Sequence, residues 1–165
     1  MRTPMSRFSL NIRKAAPLDL EILKLFNQKM ALETEGKKLD SQTLEQGIRE
    51  LLTNEDQGFY LIAEDLDRKA VASLAITYEW SDWRNGLFWW IQSVYVREEF
   101  RRKGVFSNLY KAVKMRAKKE VNVCGVRLYV EQFNNIAQST YSSLGMKRTR
   151  YQMWEESFLS REPKL

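Results

Sequence analysis

The stretch VREEFRRKGVFSNLY, residues 96–110, joins the end of an apolar run to a basic turn and the start of a helical pattern. Arg101, Arg102 and Lys103 stand in a row ahead of Gly104, and apolar residues at helical spacing follow. The amide groups and the dipole of a helix N-terminus both favour a bound anion. Glycine permits a positive φ or a close backbone approach. The stretch therefore predicts an anion-binding turn, with a solvated basic turn as the alternative.

Hydrophobic patterning on either side of this turn predicts an α/β domain. Period-two runs predict strands over 8–15, 58–65, 69–80, 87–96, 124–132 and 148–156, with Asn85-Gly86 as a hairpin signal. Helical spacing predicts helices over about 18–30, from Asp40 or Ser41 to Leu52, over 106–117 and over 135–144, the last ended by Gly145. We expect one domain over 1–165, with a mixed, mostly antiparallel sheet of six or seven strands and about four helices on both faces.

Composition excludes several classes of site. The 165-residue chain is 44% apolar, which fits a globular protein, and no apolar run approaches the length of a membrane span. There is no histidine and one cysteine, Cys124. The usual His/Cys zinc sites and histidine-dependent triads are thus excluded within one chain, and we expect no metal. The single cysteine and the absence of a signal-like apolar segment suit a cytoplasmic protein.

The positive charge is concentrated near the turn. Net charge is +6, and residues 97–119 carry nine Lys and Arg against two Glu. This local excess predicts an anionic partner, either a phosphorylated cofactor or nucleic acid. Nucleic acid is disfavoured because no aromatic residues interleave with the bases as a stacking platform would require.

Two motifs carry a resemblance to a known family. VYVREEFRRKGVFSNLYKAV (94–113) places Arg101, Gly104 and Phe106 on the pattern [RQ]-x-x-G-x-[GA]. FNNIAQSTYSSLGMKR (133–148) fits N-x-x-A-x-x-x-Y-x-x-x-G-[FM] through Asn134, Ala137, Tyr141, Gly145 and Met146. With the order of elements over 9–156, the chain resembles the GNAT superfamily of acetyl-CoA-dependent N-acetyltransferases. Phe106 departs from the pattern, and its side chain is expected to turn into the packed face of its helix.

The resemblance implies acetyl-CoA as co-substrate and a division of roles. The backbone of Val94, Tyr95 and Val96 would pair with the pantetheine arm, and an N–H of Val94 or Tyr95 would donate to the thioester carbonyl. Asn134 would contact the cofactor, and Tyr141 would lie near its sulfur as general acid. The pyrophosphate would be held by the turn, whose residues are Arg101, Arg102, Lys103, Gly104, Val105, Phe106 and Ser107.

The acceptor site is predicted near YEWSDWR (78–84), whose acids and aromatics suit an ammonium group. This region resembles the corresponding part of diamine acetyltransferases. The candidate substrate-binding residues are Glu79, Trp80, Asp82, Trp83 and Gln92, and Glu79 is also a candidate catalytic residue. Gln92 stands where some relatives have a glutamate and cannot take a proton, so Asp82, Glu131 or solvent are further candidates for the base. Alternatively, this segment is a hairpin whose tryptophans cover the sheet edge.

The predicted function is transfer of an acetyl group from acetyl-CoA to a primary amine of a small molecule or protein, by direct attack in a ternary complex. One alternative is a catalytically degenerate acyl-CoA-binding sensor, which Phe106 and Gln92 favour. The other is a nucleic-acid-binding module. We expect a homodimer with no nucleic-acid or membrane partner, in contact through aromatics near Trp83 or in the last strand.

Overall fold

The computed structural model describes residues 9–158, which form two compact units divided between Tyr129 and Val130. The first unit contains, in order, β1 (Asn11–Lys14), α1 (Leu20–Glu35), α2 (Ser41–Thr53), β2 (Gly58–Glu64), β3 (Ala70–Ser81), β4 (Gly86–Val96), α3 (Val105–Ala117) and β5 (Val123–Leu128). The second unit contains α4 (Asn135–Ser143). Single 3₁₀ turns lie at Pro17–Asp19 and Glu98–Phe100.

The five strands form one sheet in the order β1-β2-β3-β4-β5. The first four pair antiparallel, and β5 pairs parallel to β4. A parallel neighbour needs a crossover connection, which α3 supplies here. The predicted mixed, mostly antiparallel sheet is confirmed.

Both faces of the sheet are covered at its centre. All seven residues of β2 are buried, although successive side chains point to opposite faces. Tyr60 and Ile62 pack with Leu23 and Ile48, so α1 and α2 cover their face. Leu61 on the other face is fully buried too, as are Leu109 and Val113 of α3.

Capping residues mark the ends of the helices. The Asp40 carboxylate accepts the Thr43 N–H at 2.8 Å and begins α2. Helix α1 runs further than its apolar pattern predicts and ends at Gly36, which has φ 63°. None of the helices within 9–158 is long and apolar enough to cross a membrane.

The strand count predicted from the sequence is too high. The described residues form five strands, and 148–156 forms none. Its apolar side chains Tyr151, Met153 and Trp154 are exposed, so no neighbouring strand or core stabilises an extended pairing there. Strand β5 ends at Leu128 because a turn closes between Glu131 and Asn134. Phe8, the first residue of the predicted first strand, lies outside the described residues.

A buried ionic cluster joins β1 to the start of α1. The Arg13 guanidinium contacts the Asp19 carboxylate at 2.7 and 2.8 Å and that of Glu64 at 2.7 Å. Both carboxylates are almost fully buried. Burial by itself would raise the pKa of Asp19, but hydrogen bonds from Arg13 and from the Ala16 N–H, with the positive charge of Arg13, hold it below its usual range.

Candidate functional site

Strand β4 separates from β5 before it ends. The parallel pairing stops at Ile91 and Leu128, whereas β4 continues to Val96. A bulge interrupts the pairing of β4 with β3 in the same region, where Ser93 has φ 50°. The predicted cofactor strand, Val94, Tyr95 and Val96, lies beyond the last β4–β5 pair. Its backbone edge on the β5 side is therefore not part of that ladder.

The basic turn is anchored to α1 by Arg101. The Arg101 Nε donates to the Val96 carbonyl at 2.9 Å, and an Nη of the same guanidinium donates to Glu33 at 2.5 Å. The Tyr95 hydroxyl donates to the same carboxylate at 3.4 Å, and its ring lies 5.0 Å from that of Phe26. Burial, together with the charge of Glu33, raises the pKa of Tyr95. Arg101 thus fixes the turn, and its charge is shared with Glu33.

Gly104 forms the point of the turn. It has φ 75° and ψ 15° and is the N-cap of α3, while Arg102 before it has φ 60°. The first hydrogen bond into the helix runs from the Asn108 N–H to the Gly104 carbonyl at 3.0 Å. The amides of the first turn precede that bond and point out of the helix end. A Cβ at Gly104 would meet nothing within 4 Å, so the space beside its Cα is open.

The side chain of Phe106 turns away from this space. Its ring stacks on that of Tyr110, one helical turn further, with centroids 6.3 Å apart and planes at 22°. Tyr110 is buried against the sheet side of α3. Phe106 is half-buried in this position. Lys103 bends back over the Phe100 ring, and its Nζ is 5.5 Å from the ring centroid.

Glu79 lies at the centre of a polar and aromatic cluster that the sequence did not predict. The Trp90 indole N–H donates to one carboxylate oxygen at 2.9 Å, and the Arg127 guanidinium donates to the other at 2.5 Å. The Trp90 ring stacks on that of Tyr129, with centroids 4.3 Å apart. Both oxygens of Glu79 therefore already accept a hydrogen bond. The sequence analysis did not predict a role for Arg127, because only the β4–β5 register places it opposite Trp90 and so beside Glu79.

The predicted acceptor residues do not form one cluster. Register and alternation place Glu79 and Gln92 on one face of the sheet and Trp80 on the other. Gln92 donates to the Thr77 hydroxyl at 2.5 Å. Asp82 and Trp83 lie in the hairpin turn, where the Asp82 carboxylate accepts the Trp83 N–H at 2.9 Å. Trp80 and Trp83 are exposed, so they do not cover the sheet edge as a packed pair.

The second unit carries the other sequence motif on α4. The Asn134 side chain accepts the Ala137 N–H at 3.0 Å and caps the helix, and Gly145, with φ 90°, follows its end as predicted. Glu131 accepts the Phe133 N–H at 2.8 Å. Tyr141 is half-buried, and this burial raises the pKa of its hydroxyl.

An opened strand pair followed by a glycine turn at a helix N-terminus is an architecture suited to a phosphorylated cofactor. The sequence model described as "Acetyltransferase (GNAT) family" matches residues 22–146, across the boundary between the two units. The chain belongs to this family, which confirms the resemblance drawn from the two motifs.

Solved structures agree with this assignment. A possible acetyltransferase from Clostridium difficile 630 is 46% identical, with 91% of this chain and 98% of that chain covered and a TM-score of 0.84. A predicted acetyltransferase with acetyl-CoA from Clostridium acetobutylicum is 19% identical, with 90% and 96% covered and a TM-score of 0.73. Glucosamine-6-phosphate N-acetyltransferase from Arabidopsis thaliana is also 19% identical, with 90% and 98% covered and a TM-score of 0.67. The last two share the fold. No curated protein sequence matches the chain.

Proposed function

We propose that the protein transfers an acetyl group from acetyl-CoA to a primary amine, by direct attack within a ternary complex. The observation that carries the proposal is the opening of β4 from β5 after Ile91, on the strand that leads to the Gly104 turn. An extended pantetheine arm can add to the uncovered edge of β4 as a further strand would. The turn and the first amides of α3 then take the pyrophosphate.

In this proposal the chain acts mainly by positioning its two substrates. The thioester lies beside Val94, whose N–H polarises the carbonyl oxygen as the amine attacks. The family motif on α4 assigns the proton that the leaving thiolate takes to the Tyr141 hydroxyl. The amine loses its proton to solvent, because Glu79 is engaged by Arg127 and Trp90 and Gln92 has no basic group.

Calorimetric titration tests the cofactor first. Acetyl-CoA, dephospho-CoA and a short oligonucleotide are titrated into the wild type, Lys103→Ala and the control Lys69→Ala, which lies in the β2–β3 turn. We expect micromolar binding of acetyl-CoA, weakened severalfold by Lys103→Ala only. Release of free thiol on adding amines then measures transfer. Binding without transfer to any amine would favour the sensor, and binding of the oligonucleotide alone would favour the nucleic-acid module.

We also propose that the protein is a homodimer. Trp83 is 83% exposed and Trp154 is 90% exposed, and such aromatics are enriched in protein interfaces. Sedimentation of the wild type against Trp83→Ser and Trp154→Ser tests the proposal. A monomeric wild type at micromolar concentration would contradict it.

A further inference from the structure

One end of the β3–β4–β5 sheet carries a cluster that the cofactor site does not use. Phe88 on β4 pairs with Glu79 on β3 and with Gly125 on β5, so the three share one face. A Cβ at Gly125 would stand 2.6 Å from the Phe88 ring, so the ring needs glycine beside it. Phe88 is 7% exposed and forms an apolar floor at this end of the sheet.

Two arginine side chains lie over that floor. The guanidinium carbon of Arg127 is 3.5 Å from the centroid of the Phe88 ring, and that of Arg84 is 5.1 Å from it. The two guanidinium groups can be no further apart than these two distances together. The pair therefore brings two positive charges to one aromatic ring.

The charge of this arginine pair is only partly balanced. Arg127 gives one nitrogen to Glu79, and within residues 9–158 its guanidinium makes no other hydrogen bond. The guanidinium of Arg84 has no hydrogen-bond acceptor in the same range. One carboxylate oxygen of Asp82, in the same turn as Arg84, accepts the Trp83 N–H. Because a guanidinium carries five donors, most of the donors of the pair are available to a ligand.

We propose that Arg84 and Arg127 bind an anionic group of the amine acceptor, a carboxylate or a phosphate. Planar guanidinium forks match both groups, and Arg127 is held ready by Glu79, itself fixed by the Trp90 indole. A second ammonium at this end would face two guanidinium groups. The inference rests on the proposed acetyl transfer, and it replaces a diamine acceptor by one that carries an amine and an anion.

The register sets the reach that such an acceptor needs. Phe88, which lies under the arginine pair, precedes Val94 by six residues, about 20 Å of extended strand. An acceptor that places its amine beside Val94 and its anion at the arginine pair must therefore be extended, with the two groups far apart. Shorter probes test the arginine pair by itself. They are 6-aminohexanoate and 6-aminohexyl phosphate, with hexylamine and 1,6-diaminohexane as analogues whose far end is neutral or cationic.

Binding is measured by calorimetry on the full chain, both alone and saturated with CoA, which cannot transfer an acetyl group. We expect at least one anionic probe to bind roughly tenfold or more tightly than hexylamine and 1,6-diaminohexane. Arg127→Gln and Arg84→Gln should each remove most of that preference. Arg127→Lys should retain part of it, because charge remains while the fork is lost. Arg49→Gln on α2 is the control and should change nothing.

Arg84 is exposed in the hairpin turn, so Arg84→Gln should fold normally. It therefore tests the arginine pair even if Arg127→Gln misfolds. Equal affinity for all four probes, no binding of either anionic probe, or tightest binding of 1,6-diaminohexane would overturn the proposal. Failure of CoA to bind in the same titrations would instead overturn the proposed function, while the titrations without CoA still test the arginine pair. A preference for the carboxylate or for the phosphate identifies which anion the acceptor carries.

Discussion

Replacing Gly104 by alanine separates the backbone demands of the turn from its role in binding. Gly104 has φ 75°, and a Cβ there would meet no atom within 4 Å. The substitution therefore introduces backbone strain without a clash, a cost of about 1–2 kcal/mol. For a chain of this size, each kcal/mol lowers Tm by about 2–4 °C. Gly104→Ala should thus fold, with a Tm only a few degrees below that of the wild type.

The effect on acetyl-CoA binding should be much larger. Gly104 is the N-cap of α3, where we place the pyrophosphate, so the added methyl group would lie beside the bound anion. Loss of one charge-assisted hydrogen bond costs about 1.5–3 kcal/mol. The Kd should rise by roughly 10- to 150-fold. Isothermal titration gives the Kd, and thermal unfolding of the same samples gives Tm.

Gly36 provides a matched control for this experiment. It has φ 63° at the end of α1, and a Cβ there would also meet nothing within 4 Å. Gly36→Ala should lower Tm by a similar amount and leave the Kd unchanged. If Gly104→Ala binds acetyl-CoA as tightly as the wild type, or if Gly36→Ala weakens binding equally, the anion turn is not where we place it.

Three further substitutions test the chemistry and the scaffold. Tyr141→Phe should lower kcat by about 10²- to 10⁴-fold while the Kd of acetyl-CoA stays within twofold, and an unchanged kcat would remove Tyr141 as the acid. Glu79→Gln should raise KM for the acceptor and leave the pH dependence of kcat unchanged. If the fall of kcat at low pH disappears in this variant, Glu79 is the general base. Asp19→Asn should cost about 2 kcal/mol at pH 7. Because the pKa of Asp19 is lowered on folding, this difference should shrink as pH falls below about 4, and urea unfolding at each pH measures it.

The parts of the structure that local sequence determines were predicted well. The Gly104 turn, the Asp40 cap and the Gly145 stop each depend on a few adjacent residues, and each has the predicted place. The strands of the sheet's centre follow from apolar runs between clear turn residues. The predicted strand over 148–156 was wrong for the opposite reason. A strand is stable only when it pairs with another strand, and the alternating pattern within one segment does not show whether a partner is present.

The cluster around Glu79 could not be predicted in the same way. Glu79 and Arg127 are 48 positions apart in the sequence, and only the pairings of β3 with β4 and of β4 with β5 bring them to one face. The sequence segment YEWSDWR suggested that neighbours in the chain act together. Alternation along β3 instead places Trp80 on the face opposite Glu79. Sequence proximity within a strand was therefore a poor guide to the acceptor site.

The two ends of the proposed site consequently respond differently to substitution. At the cofactor end most of the proposed binding groups are backbone amides, to which Lys103 adds charge, so other side chains matter only where they would occupy the space of the ligand. The Phe106 ring does not intrude, because it stacks on Tyr110, and its departure from the family pattern gives no support to a degenerate site. At the acceptor end the proposed binding groups are side chains from two strands and the β3–β4 turn. Substitutions of Arg84, Glu79 or Arg127 should therefore change which amine is accepted while acetyl-CoA binding is retained.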